Sequence, residues 1–280
     1  MDANIWALGV DRVRRKLRGL SSGRRCARQA DALAGRGRPI VTIFYDVEGD
    51  YARRGATRRE LDCVGRILEI EARYAIRSTY NVVARFALDA PSLIESVRDA
   101  GHEIASHSYD HSILTRLPGS ALVDHLRRTR DTFDALGVAV VGHRSPQSAW
   151  NERVLDALLS TGYAWNAENG AEPYPYRIRT SRDLTLWRFP VAGDDWQYES
   201  EGCAPAQMLE RWRGQVQAAR GRRSHVAIGF HPWVESAPGR LTALEELFHW
   251  LVDDAQVDVM PFGDVLRIAA AAPQPAVAYG

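Results

Sequence analysis

The feature that most constrains the fold is a regular alternation of short β-rich runs with helix-like segments from Pro39 onward. The β-rich runs are PIVTIFYD, RSTYNVV, HEIAS, VAVVGHR, GYAWNAE, LTLWRFPV, HVAIGF and VDVMP. The segments between most of them carry apolar residues at helical spacing, and several end in glycine, which commonly stops a helix. Strands that alternate with helices predict an α/β fold with a parallel sheet.

Residues 39–272 have about the length of a single (β/α) barrel. We therefore expect one domain, a (β/α) barrel of about seven to eight parallel strands. A doubly wound open sheet is the alternative, but no GxGxxG follows the first strand. Residues 1–38 are predicted to form a basic N-terminal helical segment with a Gly/Arg connector, and residues 273–280 a flexible tail.

Composition narrows the class of protein. The formal net charge is +1, which does not favour nucleic acid as a partner. Three dispersed cysteines and no CxxC pair argue against a disulfide framework and against a cysteine zinc site. Because neither an export signal nor an apolar run of about 20 residues is found, we expect a cytoplasmic protein. The basic residues of 11–28 could touch an anionic membrane surface, although a solvated helix is the simpler interpretation.

Charged and polar residues gather where the predicted strands end. In a parallel barrel these ends meet on one reactive face. The residues concerned are Asp46, Glu48 and Asp50 after the first strand, His107 and His111 after the third, Arg144 after the fourth, Asp195 before a helix and His231 after HVAIGF. The remaining histidines are expected to be structural: His102, His125, His143, His225 and His249.

These residue types suit metal-assisted hydrolysis. Two imidazoles and one carboxylate form a three-ligand site that leaves a position open for water. A second carboxylate can accept a proton from water, a further histidine can protonate a leaving amine, and an arginine can keep the base ionised. The sequence therefore predicts hydrolysis of an amide.

The stretch DAGHEIASHSYDH and the order of the motifs resemble the polysaccharide deacetylase family, which is the NodB homology domain of carbohydrate esterase family 4. The resemblance covers about residues 40–265. It implies a distorted (β/α) barrel and metal-dependent removal of an N-acyl group, usually acetyl, from an amino sugar. It also implies a divalent ion, with Zn²⁺ preferred and Co²⁺, Ni²⁺, Fe²⁺ or Mn²⁺ as alternatives.

Residue roles follow from the same resemblance. Asp46 would be the general base, oriented by Arg144, and His231 the general acid, tuned by Asp195. The metal ligands would be Glu48, His107 and His111. Substrate contacts would come from the backbone N–H of Gln147, the wall residue Trp196, and Ile228 and Phe230 near the acyl methyl group.

The chain departs from the usual family pattern at several positions. Val47 stands where a metal-binding aspartate is common, so Glu48 is expected to replace it, with Asp50 a less favoured substitute. Gln147 stands where an aromatic residue is usual, and Ala192 where an acid is usual. The Asp-x-Glu form is similar to branches that include allantoinase-like and cytoplasmic deacetylases.

The substrate is less constrained than the reaction. We expect an amino-sugar small molecule or oligosaccharide, such as a sugar nucleotide, a lipid-linked saccharide or a natural product. Arg53 and Arg54 could bind a phosphate, and Tyr174 and Tyr176 could stack on a sugar ring. The alternative functions are another amide hydrolase, acting on formyl groups or on ureide or imide rings, and a non-catalytic carbohydrate-binding protein.

Overall fold

The computed structural model describes residues 37–179, 185–222 and 224–271. The predictions for residues 11–28, for most of the 1–38 segment and for the 273–280 tail therefore lie outside the described residues. No helix in the described ranges is both long enough and apolar enough to cross a membrane.

A single curled sheet forms the centre of the molecule, and its strand order is β6-β7-β5-β4-β3-β2-β1-β9-β8, with β10 beside the start of β1. All pairs are parallel except β6 with β7. The strands are β1 (Ile40–Val47), β2 (Thr79–Val82), β3 (Glu103–Ser106), β4 (Gly142–Arg144), β5 (Trp165–Asn169), β6 (Tyr176–Arg179), β7 (Thr185–Val191), β8 (Gly193–Asp194), β9 (His225–Phe230) and β10 (Asp258–Val259).

Helices connect most of the strands and cover the outside of the sheet. They are α1 (Thr57–Tyr74), α2 (Ala84–Asp89), α3 (Pro91–Asp99), α4 (Gly119–Ala135), α5 (Glu152–Ser160), α6 (Asp195–Ser200), α7 (Pro205–Arg222), α8 (Pro232–Glu235), α9 (Arg240–Asp253) and α10 (Phe262–Ala271). Short 3₁₀ turns occupy Gly49–Tyr51, Leu114–Arg116 and Pro146–Ser148.

The predicted parallel (β/α) barrel is confirmed, and each of the eight β-rich runs contributes a strand. The sheet holds ten strands rather than seven or eight. The additional strands are the two-residue β8 and the antiparallel edge strand β6. Two-residue pairings leave almost no periodic signal in a sequence, which is why β8 was not predicted.

Burial on both faces of the sheet explains why its strands are apolar throughout. Every residue of β1 is buried. Ile43 and Tyr45 pack in the layer beneath the helices, whereas Phe44 belongs to a separate cluster inside the barrel. Since side chains alternate along a strand, Asp46 points inward like Phe44.

Aromatic rings fill the barrel below the site. Phe262 opens α10, and its ring lies 5.6 Å from Phe44, 4.9 Å from Trp165 and 4.8 Å from Phe189. Arg144 lies above this cluster, with its guanidinium carbon 5.2 Å from the centre of the Phe44 ring. The aromatic cluster therefore forms an apolar floor beneath the polar centre.

Gly142 is required because β4 passes directly against Trp165. A Cβ atom at Gly142 would lie 1.9 Å from a ring carbon of Trp165. We expect Gly142→Ala to lower the free energy of unfolding by about 1–3 kcal/mol, the usual cost of overpacking. The measurement is urea unfolding followed by circular dichroism.

The matched control is Gly65→Ala in the middle of α1, where no atom lies within 4 Å of an added Cβ. Alanine there should raise the free energy of unfolding by about 0.5–1 kcal/mol, because glycine is unfavourable inside helices. Equal stabilities for the two variants would contradict the packing described for β4.

Candidate active site

The parallel strands bring distant parts of the sequence to one end of the barrel. Asp46 lies near the end of β1, in register with Asn81 of β2. His107 directly follows β3, Arg144 ends β4, and His231 directly follows β9. The structure therefore brings these predicted site residues together at the C-terminal ends of the strands, where barrels carry their chemistry.

Glu48, His107 and His111 form a compact cluster whose ligand atoms lie within 4.8 Å of one another. The Oε1 atom of Glu48 is 3.0 Å from Nε2 of His111 and 3.3 Å from Nε2 of His107. Burial raises the pKa of Glu48, but the neighbouring His107, His111 and His231 outweigh burial and hold that pKa well below its usual range. Glu48 is thus an anion at neutral pH.

His107 is oriented as a metal ligand would be. Its Nδ1 atom donates to the backbone carbonyl of Arg144 at 2.9 Å, since a carbonyl can only accept. In the neutral ring this leaves the lone pair on Nε2, and that buried atom has no hydrogen-bond partner among the described residues. Two imidazoles and one carboxylate, with the unpaired Nε2 of His107 among their ligand atoms, fit Zn²⁺ or a similar divalent ion.

The HxxxH spacing sits in a loop rather than on a helix. Ser108 and His111 both have positive φ, at 66° and 62°, which folds His111 back beside His107. Asp110 accepts from the backbone N–H of Ser112 at 3.2 Å, and His125 accepts from that of Tyr109 at 2.9 Å. These bonds fix the loop and so fix the second imidazole.

Asp46 is a buried carboxylate with two dedicated donors. Its Oδ1 accepts from Asn81 at 2.8 Å and its Oδ2 from Arg144 Nε at 3.1 Å. Burial raises the pKa of Asp46, but the charges of His107, Arg144 and His231 outweigh burial and keep that pKa below its usual range. Asp46 is therefore ionised and oriented, as a base near a water molecule must be.

Arg144 forms hydrogen bonds to residues of several strands. Besides Asp46, its guanidinium donates to Asp194 at 3.2 Å, to the backbone carbonyl of Ala167 at 3.2 Å and to Asn169 at 3.4 Å. The side chain is only 3% exposed. A buried guanidinium with this many acceptors is rigid, so its role in holding Asp46 is built into the barrel.

His231 and Asp195 form a second catalytic-type pair. The two atoms His231 Nδ1 and Asp195 Oδ1 are 2.5 Å apart, and Asp195 also accepts from the backbone N–H of His231 at 2.7 Å. Burial lowers the pKa of His231, but the Asp195 carboxylate outweighs it and raises that pKa well above its usual value. The free Nε2 lies 3.9 Å from Asp46 Oδ2 and 3.8 Å from Glu48 Oε1.

Asp194, Asp195 and His231 also lie close enough to share an ion. Asp194 is engaged by Arg144, however, and Asp195 by His231. We therefore regard Glu48, His107 and His111 as the group that could hold a metal.

The turn after β4 contains two consecutive non-glycine residues in the left-handed region. Gln147 has φ 57° and Ser148 has φ 52°. Such conformations cost of order 1–2 kcal/mol per residue and persist only where the surroundings enforce them. The strain occurs at the position where the backbone N–H of Gln147 is predicted to bind an oxyanion.

Aromatic residues and an arginine line one side of the cluster. Trp233 donates its indole N–H to Glu48 Oε2 at 3.1 Å. Its ring centre is 5.4 Å from that of Trp196, which is 49% exposed, and 4.8 Å from the guanidinium carbon of Arg53. Trp196 and Arg53 therefore lie at the site, and Arg54 is exposed in the same loop.

Two residues predicted to contact the acyl methyl group lie elsewhere. Ile228 and Phe230 are fully buried in the layer between the sheet and the helices, where Phe230 packs against Trp212 with ring centres 4.9 Å apart. Alternation along β9 explains this, because Ala227, Gly229 and His231 take the inward positions. The assignment of Ile228 and Phe230 to the pocket wall is wrong.

Tyr174 and Tyr176 also lie away from the centre. The Tyr174 hydroxyl donates to the backbone carbonyl of Arg222, beside the start of β9, at the opposite end of that strand from His231. Tyr176 pairs in register with Arg188 at the edge of the sheet. Their position does not support stacking on a sugar at the metal cluster.

Asp50 is not a substitute ligand, since its Oδ1 accepts from the backbone N–H of Thr57 at the start of α1. The other histidines make structural contacts. His102 accepts from the Ser78 N–H, His143 contacts the Ser106 hydroxyl at 2.7 Å and His225 contacts Thr42 at 2.9 Å. The exposed His249 lies 2.6 Å from Asp253.

Several residues of the site were missed from the sequence. Buried carboxylates and amides give no motif, and only their place near strand ends or in short helices could have suggested them. Asn81, Trp233 and Asp194 have been described above. Glu60 accepts from the backbone N–H groups of Glu48 and Gly49, and Glu168 lies 4.0 Å from Arg144. Burial and the neighbouring Asp195 raise the pKa of Glu235 well above its usual value.

Solved structures that are similar to this one show the fold class first. The fold matches a Mycobacterium smegmatis protein described as a polysaccharide deacetylase, with a TM-score of 0.77 and 25% identity over 85% of this chain and 92% of that one. Puue allantoinase gives the same TM-score and coverage at 16% identity, which shows the fold alone. Both comparisons support a (β/α) barrel.

The sequence comparisons then show a resemblance to one family. Residues 55–165 match the polysaccharide deacetylase model. Chitooligosaccharide deacetylase of Rhizobium leguminosarum bv. trifolii is 29% identical over 36% of this chain and 47% of its own length. Peptidoglycan-N-acetylmuramic acid deacetylase of Bacillus subtilis is 27% identical over 35% of this chain and 38% of its own. The chain is therefore similar to the polysaccharide deacetylase family over less than half of its length, and its matches span less than half of these curated relatives.

The cluster predicts which variants lose metal. We expect Glu48→Gln and His107→Ala to weaken Zn²⁺ binding at least about a hundredfold, because two remaining ligands hold a divalent ion poorly. Asp46→Asn should bind Zn²⁺ nearly as the wild type does. Isothermal titration calorimetry measures the affinities.

The control for the histidine variant is His249→Ala, which removes an exposed imidazole on α9. It should leave Zn²⁺ affinity unchanged. If Asp46→Asn lost the ion and Glu48→Gln kept it, the two carboxylates would have to exchange roles.

Proposed function

We propose that this protein is a metal-dependent hydrolase that removes an N-acyl group, most simply acetyl, from an amino-sugar substrate. The observation that carries the proposal is an ionised, anchored Asp46 and a protonated His231, whose Nε2 lies 3.9 Å from Asp46 Oδ2 and 3.8 Å from Glu48 Oε1 of the Glu48–His107–His111 cluster. The names of the curated relatives, which act on chitooligosaccharide or peptidoglycan, support an N-acetyl sugar.

The metal would be held by Glu48, His107 and His111. A divalent ion there supplies Lewis-acid polarisation of the acyl carbonyl and of a water molecule, with Zn²⁺ favoured by the donor set. Trp233 holds Glu48 through the indole N–H, so the carboxylate is oriented before any ion arrives.

Proton transfer would involve two groups of this chain. Asp46 accepts a proton from the attacking water on Oδ2 or Oδ1, and Asn81 and Arg144 keep its carboxylate in place. His231 donates a proton from Nε2 to the leaving amine, while Asp195 holds Nδ1 and stabilises the imidazolium. The two roles need opposite charge states at neutral pH, and the surroundings of the two groups provide them.

Substrate binding would use the rim of the site. The backbone N–H of Gln147 would donate to the developing oxyanion. The exposed face of Trp196 offers an apolar wall of the kind on which sugar rings pack. Among the described residues Arg53 makes no ion pair, so its charge beside Trp233 is available to a substrate.

The first test is turnover with the Zn²⁺-loaded protein. We expect acetate release from N-acetylglucosamine oligomers, and no comparable release from N-formyl substrates or cyclic ureides. Asp46→Asn should lower kcat about 10²–10⁴-fold while it keeps the metal, because removal of a general base affects proton transfer alone. Hydrolysis of cyclic ureides alone would instead favour the allantoinase-like alternative.

The second test concerns the class of sugar. If the substrate carries a phosphate, Arg53→Ala and Arg54→Ala should raise KM for a phosphorylated amino sugar several-fold and leave KM for its neutral analogue unchanged. Arg98→Ala, an exposed arginine at the end of α3, is the control. Equal KM values for all variants would favour a neutral glycan.

A cytoplasmic location stays a prediction that cell fractionation would test.

A further inference from the structure

Glu168 is a buried carboxylate that contacts the turn after β4, which we call the Gln147 turn (residues 145–149). Its side chain is fully buried near the end of β5. Oε1 accepts from the backbone N–H of Ser145 at 3.2 Å, and Oε2 accepts from the Ser148 hydroxyl at 2.7 Å. One carboxylate on β5 therefore bonds two residues, Ser145 and Ser148, of the turn that follows the neighbouring strand β4.

The Ser148 hydroxyl extends this grip back to the sheet. It accepts from the backbone N–H of Asn169 at 2.7 Å while it donates to Glu168. Arg144 lies near the same group, 3.4 Å from the Ser148 oxygen and 4.0 Å from Glu168 Oε2. Hydrogen bonds from Ser148 to Glu168 and Asn169 thus connect the turn to β5. The same hydroxyl lies within hydrogen-bond distance of Arg144, the residue that donates to Asp46.

The conformation of the turn needs such fastening. Gln147 and Ser148 are both left-handed, a state that side chains other than glycine rarely adopt without enforcement. The backbone N–H groups of Ser148 and Ala149 are used inside the turn, bonded to the carbonyls of Ser145 and Pro146 at 2.8 and 3.1 Å. The strained residue Gln147 is the one whose N–H the proposed reaction requires.

We propose that Glu168 is a positioning residue for catalysis: through Ser145 and Ser148 it holds the Gln147 turn so that the Gln147 backbone N–H is presented to the acyl oxygen. The inference rests on the proposed function for its catalytic meaning, but the structural part concerns the turn alone. A carboxylate suits the task because it accepts from two donors at once, whereas an amide offers a single oxygen.

A purely structural role is the competing interpretation. Glu168 also lies beside Asn166 at 3.4 Å and near the buried Arg188. A buried anion could simply balance these groups and stabilise the barrel without affecting the reaction. The two interpretations differ in what happens to kcat when the protein stays folded.

The experiment uses the Zn²⁺-loaded full chain with Glu168→Gln, Ser148→Ala and the double variant. Both single variants should lower kcat about tenfold to a hundredfold with KM little changed, because an oxyanion donor acts mainly in the transition state. The double variant should be no worse than the more damaged single variant, since both changes break one chain of bonds. Crystal structures should show Gln147 or Ser148 at negative φ.

The matched control is Glu71→Gln. Glu71 is equally buried and accepts from the hydroxyls of Tyr45, Ser78 and Tyr80, but it lies on the helix side of the sheet. It should lower the melting temperature and leave kcat unchanged. If Glu168→Gln does not fold, Ser148→Ala alone decides the question.

A left-handed turn retained in both variants, or a wild-type kcat in both, would overturn the inference. So would a loss of kcat as large in Glu71→Gln. If the wild-type protein released no acyl group from any amide, the proposed function would fail, but the crystal structures of the variants would still show whether Glu168 holds the turn.

Discussion

The buried guanidinium of Arg144 is the interaction on which the end of the barrel depends. An arginine is never neutral in a protein, so a side chain only 3% exposed must be surrounded by acceptors. Those acceptors come from β1, β5 and β8, namely Asp46, the Ala167 carbonyl, Asn169 and Asp194. One buried charge thereby helps to set the relative positions of the ends of β1, β5 and β8. The side chains of the site at these strand ends are positioned with them.

Asp46 and Glu48 show how surroundings separate the roles of two similar side chains. They are two residues apart, both buried and both kept anionic. Asp46 accepts from Asn81 and Arg144, which occupy its oxygens with fixed donors, whereas Glu48 Oε1 faces two imidazoles. The donors hold the base in place and the Arg144 charge helps keep its pKa low, whereas the imidazoles beside Glu48 leave room for a cation. The neighbouring side chains, rather than the Asp-x-Glu order itself, thus suit Asp46 to be a base and Glu48 to be a metal ligand.

Periodicity predicted the barrel because strand and helix signals are local, and the rule that parallel strands end on one face then predicted where Asp46, His107, Arg144 and His231 meet. Ile228 and Phe230 were misplaced although the signal was present. Counting back from His231 by twos gives Gly229 and Ala227, and a Cβ at Gly229 would lie 2.3 Å from the Phe44 ring. Glu168 and Asn81 could not be predicted, because their partners are fixed by packing between strands rather than by spacing along the chain.

Buried carboxylates recur behind the turns that follow the strands. Glu60 of α1 accepts from the backbone N–H groups of Glu48 and Gly49 at 3.1 and 2.7 Å, and Glu168 accepts from that of Ser145. Burial raises the pKa of Glu60 to about 8, so this support is costly in a dry environment. A carboxylate from the next element supplies acceptors from behind, which leaves the front of each turn free to face a substrate.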